Sequence, residues 1–232
     1  MVDFAAFVGP NSSPETDILT ADFHLQAETL SCERGERLLF RGLDLSVRPG
    51  EIWLVEGANG SGKTTLLRIL CGLRRPDDGL ILWNGTPIEE SRAEFHARIA
   101  YLGHHSGIKQ ELTAQENLRF ARALCAGRAD IDPALTRVGL NELEELPVSA
   151  FSAGQRRRLA MARLLLSRAR VWMLDEPFTA LDPAGRTLVR ELLAEHAAGG
   201  GSALLATHHD IAVGGAELRR LRLGAVNEAG AA

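Results

Sequence analysis

Residues 52–65 read IWLVEGANGSGKTT, a short apolar run that breaks into a glycine turn and resumes as a helix-forming segment. Gly57, Gly62, Lys63 and Thr64 hold the spacing G-x-x-x-x-G-K-[ST] of a loop that cradles phosphate. Glycines let the backbone curl until consecutive N–H groups aim at one anion, and a helix starting near Lys63 adds the positive end of its dipole. The candidate phosphate-binding set is therefore Gly57, Ala58, Asn59, Gly60, Ser61, Gly62, Lys63, Thr64 and Thr65, with Lys63 as a point charge and Thr64 as a hydroxyl ligand for Mg2+. A dinucleotide fold is disfavoured, because no G-x-G-x-x-G ends this strand.

Further along, VWMLDE at 171–176 reads as a buried strand ending in two adjacent carboxylates. There Asp175 can hold the water shell of Mg2+ and Glu176 can poise an attacking water. A guanine-reading Asn-Lys-x-Asp is absent from the chain. Short apolar runs at 52–55, 99–102, 171–174 and 203–206 read as buried parallel strands. Alternation of Phe23, Leu25 and Ala27 with His24, Gln26 and Glu28, and of Leu43, Leu45 and Val47 with their neighbours, reads as half-exposed strands. Helices are expected at 63–70, 115–124, 154–166 and 184–196, the last with Asp182 as its cap, Pro183 in its first turn and Gly199–Gly201 as its stop. Strands alternating with helices predict an α/β domain.

Composition bounds the rest. The 232 residues are 45% hydrophobic and 24% charged, as in an ordinary globular chain long enough to bury its own core. A net charge of -4 argues against a dedicated nucleic-acid binder. Only Lys63 and Lys109 are lysine among 26 basic residues, a skew ascribed to base composition. Three scattered cysteines without CxxC spacing give neither a disulfide framework nor a zinc site, which suits a reducing compartment. No run approaches the roughly 20 apolar residues of a membrane span, and the first residues lack a signal-peptide pattern. The expected division is a loose leader over 1–20, one domain over 21–223 with a helical insert over about 104–166, and a tail over 224–232.

Three further motifs carry a resemblance. FSAGQ at 151–155 resembles the LSGGQ signature of the ATP-binding-cassette family, and TALD at 179–182 and His208 in LLATHHD resemble its D-loop and switch histidine. On its own terms Ser152-x-x-Gln155 is a capping box that opens a helix. The resemblance implies an α/β P-loop NTPase core with an antiparallel β subdomain and a helical subdomain insert. It also implies ATP and Mg2+ as ligands, with Thr64 and Asp175 holding the metal and Glu176 as general base. His208 would contact the γ-phosphate and act with Glu176 and Lys63 in catalysis, and Ser152, Gly154 and Gln155 would reach the nucleotide of a second copy in a homodimer.

Departures accompany the match. The usual Q-loop glutamine position holds His104, followed by His105; a neutral imidazole can still coordinate Mg2+ or a water, whereas a protonated one repels the metal. Arg34 stands where an aromatic residue stacks on adenine, and Phe151 and Ala153 replace leucine and glycine of the signature. Arg156–Arg158 read as the exposed face of the signature helix, His209 as a solvated neighbour and Cys71 as core.

The runs at 99–124 and 152–182 are similar to the ATPase subunits of cytochrome c maturation systems, the haem-exporter branch. That similarity implies ATP hydrolysis coupled to haem delivery or export in c-type cytochrome biogenesis. It implies integral membrane transporter subunits as partners, peripheral attachment through them at the cytoplasmic face of the inner membrane, and no nucleic acid. The membrane partner is expected to dock near His104–Thr113. Alternatives are the ATPase subunit of another importer or exporter, or an ATP-dependent assembly module with little turnover.

Overall fold

A computed structural model describes residues 22–35, 37–125, 129–209 and 211–224. The expected leader and all of the expected tail but Gly224 lie outside them. Two sheets organise the chain. The smaller is antiparallel, ordered β2-β1-β4-β5, from β1 (Leu25–Arg34), β2 (Arg37–Val47), β4 (Asp78–Trp83) and β5 (Thr86–Pro87). The larger is parallel, ordered β6-β7-β8-β3-β9, from β3 (Glu51–Glu56), β6 (Ile99–Leu102), β7 (Val171–Asp175), β8 (Ser202–Ala206) and β9 (Glu217–Arg222).

Six helices connect these strands among the described residues: α1 (Lys63–Leu70), α2 (Arg92–Arg98), α3 (Ala114–Leu124), α4 (Ile131–Arg137), α5 (Ala153–Leu166) and α6 (Pro183–Ala198). Between β6 and β7 the described chain holds α3, α4, a 3-10 turn at Val148–Ala150, α5 and one isolated bridge, Thr113 to Pro147. Its helix ends are set locally. Thr113 and Glu116 close a capping box on α3, Ser152 and Gln155 close another on α5, and the Asp182 side chain accepts from Gly185 N–H at 2.7 Å to cap α6.

Apolar runs in the parallel sheet follow from covering both of its faces. Residues of alternating parity divide between two cores, as a period of two demands. Ile52, Leu54, Trp172, Leu174, Ala203 and Leu205 pack with α5 and α6. Val55, Val171, Met173, Leu204 and Ala206 pack with α1 and the antiparallel sheet. Cys71 lies in this second core with its thiol on the Met173 sulfur at 3.2 Å, as its reading predicts.

The chain departs from expectation at the edges. β4, β5, β9 and α2 have no counterpart among the elements read from the sequence, and α4 falls within the segment read as a helical insert. β9 carries Arg219, Arg220 and Arg222 in an alternation too polar to read as a strand, and pairs along the whole of β3. Its charges are matched: Arg219 pairs with Glu51 and Glu217, and Arg220 and Arg222 pair with Glu56.

One buried titratable group makes the fold sensitive to acid. The His196 ring of α6 stacks on Trp172 at 3.9 Å between centroids and 9° between planes. Burial, helped by the Arg170 charge, pulls its pKa from 6.5 down to about 4. The folded state holds the ring neutral while the unfolded chain takes up a proton below about pH 6.5, so this contribution is whole above that pH and lost as pH falls toward 4. We expect the parent to lose about 2 kcal/mol more stability than His196→Phe between pH 7 and pH 5, measured by urea unfolding of both; equal losses would refute it.

Candidate active site

The site sits at the carboxyl ends of the parallel strands, and strand register places it. Val55 of β3 and Asp175 of β7 both pair with Ala206 of β8, so the glycine turn after β3 and the acidic pair after β7 emerge side by side. Helix α1 starts from this turn. Gly62 caps it without any side-chain hydrogen bond, unlike α3, α5 and α6. Its first-turn N–H groups are therefore left for a ligand. Inside the turn the Ser61 hydroxyl is buried with no hydrogen-bond partner, an orphan polar atom that suits a bound anion.

Lys63 is buried with its Nζ donating to Gly57 O at 2.7 Å and Ala58 O at 3.2 Å. Thr64 Oγ1 donates to the Asp175 carboxylate at 2.9 and 3.1 Å, and Asp175 is only 3% exposed. A hydroxyl and a carboxylate thus converge as hard oxygen donors, the set that Mg2+ takes. Close approach explains the first glycine. A Cβ on Gly57 would meet Leu223 O at 2.7 Å and Ser61 Oγ at 2.5 Å.

Glu176 follows Asp175 in a left-handed conformation, φ 50°, which costs a non-glycine residue about 1–3 kcal/mol. Its N–H donates to Ala206 O at 2.8 Å and its side chain lies 3.6 Å from His208 Nε2. Behind it Arg157 of α5 donates to Asp175 O and Glu176 O at 2.8 Å, to Gly103 O at 3.1 Å and to Pro177 O at 3.3 Å. Burial lowers the Arg157 pKa and the charges of Asp175 and Glu176 oppose that, but a guanidinium stays charged throughout the working range. The four bonds to carbonyl oxygens offset the cost of burying the guanidinium and restrain the strained backbone at Glu176.

Here the structure corrects the sequence reading. Arg157 is buried rather than on an exposed face, and Arg156 and Arg158 are half-buried, donating to Phe151 O and to Val138 O and Gly139 O. A signal was present: 157, 161 and 164 fall on one helical stripe, and Met161 and Leu164 are core residues.

Arg34, Arg37, Leu39, Asn59, Gly60, Lys63, Thr64, Thr65, Asp175, Glu176 and His208 line a cleft of about 400 Å³. Arg37 is a second guanidinium beside Arg34 that the sequence reading missed; both flank the β1–β2 turn. His104 is not in this lining. It is exposed, with its ring 5.5 Å from that of His105, and it lines an adjoining cavity of about 170 Å³ with Ala153, Arg157, Glu176 and Ala180. Among the described residues no three His, Cys, Asp or Glu side chains gather to hold a metal, and His104 lines the adjoining cavity while Thr64 and Asp175 line the cleft. Ser152, Gly154 and Gln155 lie outside the larger cleft too, at the exposed to half-exposed start of α5. A Cβ on Gly154 would come within 3.0 Å of Ala180 O, so the signature turn and the D-loop touch within one chain. His209 is exposed, as read, with its ring edge-on to Phe178 at 5.9 Å.

A phosphate turn, a hydroxyl-carboxylate pair and a capped signature helix on a mixed α/β frame define a nucleotide-hydrolysing cassette. The chain belongs to the ABC transporter family, whose model matches residues 40–179, and it is an ATP hydrolase of that type. It is 50% identical over 218 residues to the cytochrome c biogenesis ATP-binding export protein CcmA of Nitrosococcus oceani, spanning 94% of this chain and 100% of that one. The protein of the same name from Methylococcus capsulatus is 51% identical over 206 residues, 88% and 99% of the two chains. Among solved structures, an ATP-binding subunit of an ABC transporter superposes with a TM-score of 0.72 at 27% identity, covering 79% of each chain. Among the described residues no helix is long and apolar enough to cross a membrane.

Because a Cβ on Gly57 would meet the Leu223 backbone carbonyl as well as the Ser61 side chain, the clash has little room to relax. Gly57→Ala is expected to weaken ATP binding by at least about tenfold and to cost about 1–3 kcal/mol of stability. Isothermal titration with ATP and thermal unfolding of the variant check this, and parental affinity would contradict the close-packed turn.

Proposed function

We propose that this chain is the ATP-hydrolysing subunit of a membrane transport complex, and that its turnover drives haem delivery or export in c-type cytochrome biogenesis. The likeness to relatives named for cytochrome c biogenesis over nearly their whole length supports the cellular role. The observation that carries the chemistry is the Thr64 hydroxyl at 2.9 Å from a buried Asp175, beside an uncapped helix end.

In this reading the turn at Gly57–Thr65 binds the phosphates through backbone N–H groups and Lys63 neutralises the outermost one. Thr64 and Asp175 would hold Mg2+, which supplies charge neutralisation at the β- and γ-phosphate oxygens. Glu176 orients a water and accepts its proton as the water oxygen bonds to the γ-phosphorus and the bond to the β-phosphate oxygen breaks. His208, 3.6 Å from Glu176, donates to the transferring group. Arg34 and Arg37 meet the base end of the nucleotide at the mouth of the cleft.

Ser152, Gly154 and Gln155 lie outside the chain's own cleft, which fits a role on the nucleotide of a second copy in a homodimer. The segment 104–166 acts as the helical arm that senses the membrane partner. Its loop 104–113 is exposed at most positions but anchored, with Arg163 on Ser106 O and Gly107 O and Asn117 on Lys109, Leu112 and Thr113. Integral membrane subunits would hold the chain at the cytoplasmic face.

Lys63→Ala should abolish ATP binding or turnover, whereas Glu176→Gln should keep ATP bound and accumulate a dimer. Phosphate release and light scattering after size exclusion read both, and parental turnover in Glu176→Gln removes that residue as the base. The partner assignment predicts that integral membrane proteins of haem handling copurify with the chain and crosslink to a photoreactive residue placed within 104–113. Crosslinks confined to other faces would overturn it.

A further inference from the structure

Arg157 is not in the lining of the larger cleft and reaches the acidic pair from the adjoining cavity, which it lines with Glu176. Four donated hydrogen bonds go to backbone carbonyls, three of them on the consecutive residues Asp175, Glu176 and Pro177 and the fourth on Gly103. The residue is only 7% exposed. A buried guanidinium ordinarily takes a carboxylate partner. This one sits near two carboxylates and binds the peptide chain that carries them instead, which leaves both side chains free to face the cleft.

That backbone needs holding. Glu176 has φ 50°, its N–H is committed to Ala206 O, and its carbonyl accepts from Thr179 N–H at 3.2 Å as well as from Arg157. Relaxation of Glu176 out of the left-handed region would turn its Cα–Cβ bond and re-aim the carboxylate, and the planar fork of Arg157 opposes it by holding the carbonyls of Asp175, Glu176 and Pro177. The same side chain reaches Gly103, just before His104, and six residues further along α5 Arg163 holds Ser106 O and Gly107 O. Helix α5 therefore ties the 103–107 segment to the acidic turn.

We propose that Arg157 is a positioning residue for hydrolysis: its guanidinium fixes the strained turn at Glu176 and joins it to the segment at Gly103, without contributing to ATP binding. The inference rests on the role of Glu176 as base given above. A lysine keeps the charge but has no planar fork, and a glutamine loses both charge and fork.

The test uses the full chain with Arg157→Lys and Arg157→Gln, and Glu176→Gln beside them. We expect both Arg157 variants to fold by circular dichroism, with kcat down about 10- to 100-fold and KM and Kd for ATP within about threefold of the parent. We also expect them to accumulate the ATP-bound dimer as Glu176→Gln does. Parental kcat in both variants overturns the proposal, and so does a loss of ATP affinity matching the loss of kcat. Failure of both to fold overturns it too, in favour of a structural role alone. If Glu176→Gln hydrolyses ATP at the parental rate, the base assignment itself falls and takes this inference with it; parental Arg157 variants beside an inactive Glu176→Gln remove the inference alone.

Discussion

The site depends on the alignment of three parallel strands. Ala206 of β8 pairs with Val55 on one side and with Asp175 on the other, so two loops more than a hundred residues apart in sequence leave the sheet at one level. Slipping β7 on β8 by one residue would turn Asp175 toward the other face of the sheet, and slipping β3 on β8 would move the glycine turn out of level with it. Such slippage is resisted by burial on both faces: Met173 and Leu204 belong to one core, Trp172 and Leu205 to the other. The hydrogen bond from Thr64 to Asp175 is thus an outcome of core packing, and the chemistry inherits the rigidity of the sheet.

Charge at this level is arranged to favour an anion without collapsing on itself. Asp175 is buried against a neutral hydroxyl, and Lys63 rests on the carbonyls of Gly57 and Ala58 in place of an ion pair with Asp175 or Glu176. A direct lysine-carboxylate pair would compete with polyphosphate for the ammonium, and neutral carbonyls compete less. The uncapped start of α1 adds a partial positive charge that no side chain of its own cancels. The Lys63 ammonium and the open start of α1 therefore both stay available to an anion on a chain whose net charge is -4.

What could be read from the sequence divides along physical lines. The glycine turn, the acidic strand end and the S-x-x-Q box are local constraints in which spacing alone fixes geometry, and all three appear where the spacing puts them. The buried parallel strands were legible because continuous burial leaves an apolar run. β9 was not, because half its positions are arginines whose partners, Glu51 and Glu56, lie on a strand more than 150 residues earlier. The partners of Arg157 were hidden for the same reason, although its stripe with Met161 and Leu164 points to burial. Three arginines in a row look like a solvated face until the carbonyls that receive the middle one are brought up from residues 103 and 175–177. His104 lines the cavity beside the cleft, a placement that its chain position after β6 does not give by itself.

Helix α5 concentrates these long-range terms in one rigid body. Its first turn offers Ser152 and Gly154 outward and meets Ala180 at Gly154, its second turn grips the acidic strand end through Arg157, and its third grips the 103–107 segment through Arg163. Because a helix of 14 residues with a closed capping box does not shear within itself, a displacement felt at either end must be shared by the other. In the reading proposed for this chain, those ends face a second nucleotide and a membrane partner. Both events then act on Glu176 through a single lever, and the short distance from Gly154 to Arg157, less than one helical turn, makes the response of the acidic strand end immediate rather than relayed through the core.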